Sequence, residues 1–138
     1  MRRIELMSWE KARVHAAPVR ATVFVDEQRV PAELEMDDKD ADCLHAIAFE
    51  GERAVGTGRL LPDGHIGRMA VLRAYRGKGV GGEILEALVE AARRRGEREI
   101  VLSAQTHALA FYRAHGFEAF GAQYEEAGLP HQDMRRLL

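Results

Sequence analysis

Apolar and polar positions change period several times along the chain, and each change marks an element. Leu44 to Phe49 and Ala54 to Leu61 read as strands joined at Glu50-Gly51-Glu52-Arg53. Pro62-Asp63-Gly64 turns the second of them into a third, His65 to Val71, which makes an antiparallel meander. From Val80 to Arg95 the period lengthens. Val80, Ile84, Leu88 and Ala91 or Ala92 share one face, while Glu83, Glu86, Glu90, Arg93 and Arg94 lie elsewhere. Glu90 and Arg94 stand in the favourable order for a helical ion pair, and Gly96 supplies a stop. Ile100-Val101-Leu102 is wholly apolar, as suits a buried parallel strand reached by a crossover helix. A second helix, Thr106 to His115, ends at Gly116, and strands at Phe117–Gly121 and His131–Leu137 close the chain.

The first third is less regular. Arg3 to Met7 is a short strand candidate, and Ser8 is a plausible N-cap. Trp9 to Glu27 is helical in pattern, but Pro18 predicts a break or two short helices. Val30 to Asp42 reads as a solvated loop made acidic by Glu33, Glu35, Asp37, Asp38, Asp40 and Asp42. The expected fold class is α/β, in the α+β sense, as one domain over residues 1–138: a mixed sheet, first antiparallel, then parallel across the crossover.

Composition narrows the function. With 138 residues, 46% hydrophobic and 30% charged, the chain has the make-up of a soluble globular domain. A formal charge of −2 argues against a dedicated nucleic-acid binder. The single cysteine, Cys43, cannot form an internal disulfide and reads as a small core residue, which points to a reducing compartment. There is no run long and apolar enough to span a bilayer, and Met1-Arg2-Arg3-Ile4-Glu5 lacks the apolar core of a signal peptide. A cytoplasmic protein without a membrane partner is the expectation. The six histidines show no ligand spacing, so no metal is expected.

Arg76-Gly77-Lys78-Gly79-Val80-Gly81-Gly82 carries the strongest chemical signal. It lies between a strand and a helix, where unpaired backbone N–H groups and the helix dipole favour an anion. Its glycines let a phosphate approach the backbone, and Arg76 and Lys78 add charge. Residues 77–82 fit the dinucleotide fingerprint by letter, yet no acidic residue follows where ribose recognition requires one. No Gly-Lys-Ser or Gly-Lys-Thr occurs, which excludes a Walker phosphate loop. A tight turn without a ligand and a nucleotide-binding domain using another phosphate both remain open at this point.

Two signatures in order resolve the choice by resemblance. Arg76 to Gly81 matches the R/Q-x-x-G-x-G/A signature of the GNAT family of N-acetyltransferases. Ala110-Phe111-Tyr112-Arg113-Ala114-His115-Gly116-Phe117 resembles that family's second signature, one helix and one strand later. Val23 to Gln28, Gly56 to Leu60 and Ala127 to His131 resemble the small bacterial branch called ElaA-like or YjcF-like. The resemblance implies the GNAT fold, with an antiparallel N-terminal meander, a splayed parallel pair and helices on both faces. It implies acetyl-CoA as co-substrate, an unidentified amine acceptor, direct attack in a ternary complex, and a homodimer as a candidate assembly.

Residue by residue, the same resemblance assigns the pyrophosphate to Arg76, Gly77, Lys78, Gly79, Val80, Gly81 and Gly82. It assigns the pantetheine arm to Met69, Ala70 and Val71 on one strand, with Ile100–Ser103 opposite and with Gln105, Ala110 and Phe111 also against the cofactor. A Val71 amide would hold the thioester carbonyl. Tyr112 would protonate the leaving thiolate, against the plainer reading of Phe111 and Tyr112 as core aromatics. The base is open among Glu27, His45, His65 and His131, because the strand before the glycine turn offers no carboxylate. Glu27 is the one taken into the catalytic set. The acidic loop would draw a cationic amine, whereas Arg59 and Arg68 would bind an acidic acceptor. An acyl-CoA-binding sensor with little turnover is the alternative function.

Overall fold

A computed structural model describes residues 1–138. Seven strands form one sheet in the order β1-β2-β3-β4-β5-β7-β6. They are β1 (Arg2–Ser8), β2 (Leu44–Glu50), β3 (Arg53–Leu60), β4 (His65–Val71), β5 (Glu99–Gln105), β6 (Glu118–Glu126) and β7 (Leu129–Leu137). The helices are α1 (Trp9–Arg20), α2 (Ala32–Glu35), α3 (Val80–Arg94) and α4 (Leu109–Ala114). Only β4 and β5 pair in parallel; every other neighbouring pair is antiparallel.

The alternation of side chains in β2 explains why both faces are covered. Ala46 and Ala48 turn to α3 and join Ile84, Leu85 and Leu88 in the main core. Ile47 and Phe49 turn the other way and pack with Ala12 and Ala16 of α1. Glycine brings α3 close to β3: a Cβ on Gly56 would stand 2.8 Å from Ile84 Cδ1 and 3.2 Å from the Ala70 carbonyl oxygen. The mixed sheet and the layered helices agree with the sequence reading.

Three stretches differ from it. Pro18 does not break α1; the chain remains helical and widens only afterwards, into a π-helical segment at Ala21–Glu27. The carbonyl left unpaired by Pro18 belongs to the exposed Val14, where water can take the hydrogen bond. The acidic stretch is not simply solvated: it holds α2 and a short 3₁₀ turn at Asp40–Asp42, with Glu35 and Asp40 buried. Thr106–Ala108 is a 3₁₀ turn ahead of the shorter α4, and β6 and β7 reach each other through Ala127 and Gly128, both at positive φ.

Candidate active site

The parallel pair is in register only at His65↔Val101 and Ile66↔Leu102. Beyond that point β4 bends away. Across from β3, the register moves from Thr57↔Ala70 to Arg59↔Gly67, so Arg68 and Met69 together oppose Gly58. Arg68 adopts φ +49°, in the left-handed region. A bulge of this kind bends its strand, and here it leaves β4 and β5 diverging around a cavity of about 440 Å³. Backbone groups along such a gap can pair with an extended amide-bearing chain as an added strand would.

Past the end of β4 lies the glycine turn. Gly77 and Gly79 have φ of +75° and +85°, and Gly79 caps α3 in a left-handed conformation. Within α3 the first hydrogen bond is Glu83 N–H to the Gly79 carbonyl, so Val80, Gly81 and Gly82 present N–H groups with no helical partner. The Phe111 ring closes on Gly81, 3.5 Å from where a Cβ would stand, with Val71 beside it. Lys78 is exposed, and its carbonyl accepts from Arg2 at 2.9 Å. This end of the gap suits an anionic group.

Arg76 does something else. Its Nη1 and Nη2 donate to Glu27 at 2.6 and 2.8 Å, and its Nε donates to the Val71 carbonyl at 2.9 Å. It ties the π-helical segment to the end of β4. Arg73 reaches the same carboxylate at 3.4 Å. The hydrogen bond from Arg76 holds the Glu27 carboxyl below the usual carboxylate range, although partial burial works against it. That is the opposite of what a general base needs, and Glu27 does not line the cavity.

Tyr112 does line it. The residue is only 8% exposed, packed edge-on against Phe111 and Phe117, and its hydroxyl has no hydrogen-bond partner within the protein. Burial pushes its pKa up to about 12, so the phenol stays protonated at neutral pH. His131 also lines the cavity and is buried; its Nδ1–H donates to the Leu129 carbonyl at 2.8 Å, which in the neutral ring leaves the lone pair on Nε2. His65 is exposed at the start of β4, with Nδ1 3.0 Å from the Asp63 carboxylate. His45 is remote: buried beside Trp9, it contacts the Asp40 carbonyl through Nε2 at 2.9 Å, and desolvation lowers its pKa.

Residues 11–138 match the sequence profile of the acetyltransferase (GNAT) domain. The chain belongs to the GNAT family. It is 41% identical to the uncharacterized N-acetyltransferase YjcF of Bacillus subtilis over 122 residues, covering 86% of this chain and 87% of that protein. An acyl-CoA N-acyltransferase from Pseudomonas aeruginosa superposes with a TM-score of 0.87 at 32% identity, with 99% of each chain covered. Escherichia coli ElaA superposes with the same TM-score at 28% identity, again over 99% of each chain. This GNAT chain is therefore an N-acetyltransferase with the ElaA-like, YjcF-like character read from its motifs.

Within the GNAT frame the predicted residues divide. Met69, Gln105 and Tyr112 surround the cavity. Ala70 is buried with Val19, Val23 and Phe24, and Ala110 is exposed on α4. Gly77–Gly82 and Phe111 gather at the α3 N-terminus. What the sequence did not announce is how the gap is framed. Gln28, at the end of the π-helical segment, exchanges side-chain hydrogen bonds of 2.9 and 3.3 Å with Gln105 across the opening. Arg59, Arg68 and Arg20 hold Glu35, Asp37 and Asp40 against the sheet. Neither pairing has a local sequence signal, since the partners lie tens of residues apart.

Proposed function

We propose that this GNAT protein transfers the acetyl group of acetyl-CoA to a primary amine by direct attack within a ternary complex. The observation that carries the reading is Tyr112: a buried phenol with an unpartnered hydroxyl, bordering the gap between the diverging strands. The amides of Val80, Gly81 and Gly82, with Lys78 beside them, suit the cofactor's pyrophosphate. The gap between β4 and β5 suits its amide-bearing arm, with Val71 positioned to offer an N–H to the thioester carbonyl. Acetyl-CoA brings an activated acyl carbon; the chain's residues orient the groups and move the protons.

The amine nitrogen forms a bond to the acyl carbon as the carbon–sulfur bond breaks. An ammonium acceptor loses two protons in becoming an amide. One passes to His131 Nε2 and on to solvent; the second replaces the proton that Tyr112 gives to the departing sulfur. A phenol near pKa 12 is a weak donor toward a thiolate, whose reference value is about 8.5. However, the thiolate forms in the same desolvated pocket, which raises its proton affinity as well, so the two stay closer than reference values suggest.

Thiol release from acetyl-CoA across a panel of amines tests this reading. Amine-dependent release is expected; tight acetyl-CoA binding without release from any acceptor would make the protein an acyl-CoA-binding module instead. Glu27→Gln separates positioning from catalysis. Because the Glu27–Arg76 pair is partly exposed, the variant is expected to raise the acetyl-CoA KM by no more than about fivefold and to keep kcat. A collapse of kcat with unchanged KM would return Glu27 to the role of base.

A further inference from the structure

The two walls of the cavity differ in charge. On the α2 side, Arg20, Arg59 and Arg68 stand against Glu35, Asp37 and Asp40, which balances to zero. Arg68 is the only arginine lining the cavity, and it turns Nε and Nη2 to the carbonyls of Leu34 and Glu35 and to Asp37. It is not a free cation waiting for a carboxylate.

Ser103, Glu126 and His131, from β5, β6 and β7, line the other wall. Behind Ser103, Tyr124 donates to Asp133 at 2.6 Å and hydrogen-bonds Ser103, whose Oγ lies 3.5 Å from Glu126 Oε2. Neither Glu126 nor Asp133 has a lysine or arginine partner; the nearest basic group is His131 Nε2, 3.9 Å from Glu126. Desolvation is the first cause that raises the Tyr124 pKa; the hydrogen bond to Asp133 and the charges of Asp133 and Glu126 add to it, against the hydrogen bond with Ser103. Two uncompensated carboxylates thus stand beside a cavity that already holds an unpartnered buried phenol, Tyr112, and the free Nε2 of buried His131.

We propose that the Ser103–Glu126–His131 wall receives an amine carrying a second positive charge, such as a linear diamine. One ammonium loses its proton toward His131 and attacks, while the other rests against Glu126 and the Asp133–Tyr124–Ser103 chain. The same charges repel an acceptor whose amine is accompanied by a carboxylate. This inference rests on the transfer proposed above and specifies its acceptor.

Three probes of equal carbon count isolate the second charge: diaminobutane, butylamine and γ-aminobutyrate, each assayed for thiol release from acetyl-CoA at low ionic strength. Glu126 is well exposed, so its field is partly screened, and the expected preference in kcat/KM for diaminobutane over butylamine is about fivefold, with γ-aminobutyrate below both. Added salt should shrink the preference, and Glu126→Gln should bring the diaminobutane-to-butylamine ratio toward one. Equal use of the three probes, or a ratio unmoved in Glu126→Gln, overturns the acceptor class while leaving the transfer intact. No release from these three, in protein that releases thiol with other amines, overturns the acceptor class alone; no release with any amine, in protein that binds acetyl-CoA, removes the transfer and this inference together.

Discussion

Tyr112→Phe is expected to lower kcat for amine-dependent thiol release by about a hundredfold or more, the usual scale for losing a general acid. The variant isolates the hydroxyl. Its ring remains to pack against Phe111 and Phe117, whose centroids lie 5.0 and 5.9 Å away. The lost hydroxyl has no partner in the protein, so its removal leaves no buried donor or acceptor stranded, and stability should hold or rise slightly. Acetyl-CoA binding, which the proposal assigns to backbone amides at the α3 N-terminus, should stay within about twofold. Steady-state thiol release beside a thermal melt reads all of this. Unchanged kcat in a well-folded variant would remove Tyr112 from the chemistry and leave it a core aromatic. Because its pKa stands near 12, Tyr112 also predicts a rate without an alkaline fall from its own ionisation below about pH 11.

How much of this was legible beforehand depends on sequence distance. The strand–glycine–helix passage declared itself because its cause is local: unpaired N–H groups and positive φ belong to a few consecutive residues, Gly77 to Gly82. The α3 face was legible because its period is local too. The divergence of β4 and β5 was expected from the family resemblance, but its cause was not readable. A bulge at Arg68 and Met69 has no composition signal, since Arg is not a residue that advertises positive φ. The Ala127-Gly128 hairpin escaped for the same reason, with alanine where a turn-former would normally signal. Arg76 was read as a phosphate ligand from its neighbours, while its partner, Glu27, lies 49 residues away. Of the four histidine and glutamate candidates for the base, only three-dimensional placement separates buried His131 at the cavity from buried His45 away from it.

The acidic loop is the clearest case of charge read locally and used globally, and it carries the largest stability effect. Asp40 is 3% exposed; it accepts from Arg20 at 2.8 and 3.1 Å and from Arg59 at 2.8 Å. Arg59 already has a buried Nε–H without an acceptor, so the cluster has no acceptor to spare. Asp40→Ala leaves two buried guanidiniums one carboxylate short and is expected to cost about 3–5 kcal/mol, roughly 12–20 °C in Tm for a domain of this size. The exposed pair of Glu90 with Arg94 is the internal control, and Glu90→Ala should cost under about 0.5 kcal/mol. Acid gives an independent reading. Burial opposes the Asp40 charge, but Arg20 and Arg59 outweigh it and hold the carboxyl below its ordinary value; the hydrogen bond from Arg59 does the same for Asp37. Between the unfolded value of about 3.9 and the lower folded values, the unfolded chain binds more protons, so this stability is present above about pH 4 and is lost as pH falls further. Wild type should therefore lose stability below pH 4 more steeply than Asp40→Ala. The functional consequence follows from geometry, since the cluster holds Leu34 and Glu35, two of the residues lining the cavity. At a temperature where Asp40→Ala remains folded, its KM for the amine should rise more than its KM for acetyl-CoA, whose proposed contacts lie at the other end of β4. Equal changes in both, or a Tm within a few degrees of wild type, would show that the cluster neither anchors α2 nor shapes the cavity from the side facing the proposed acceptor wall.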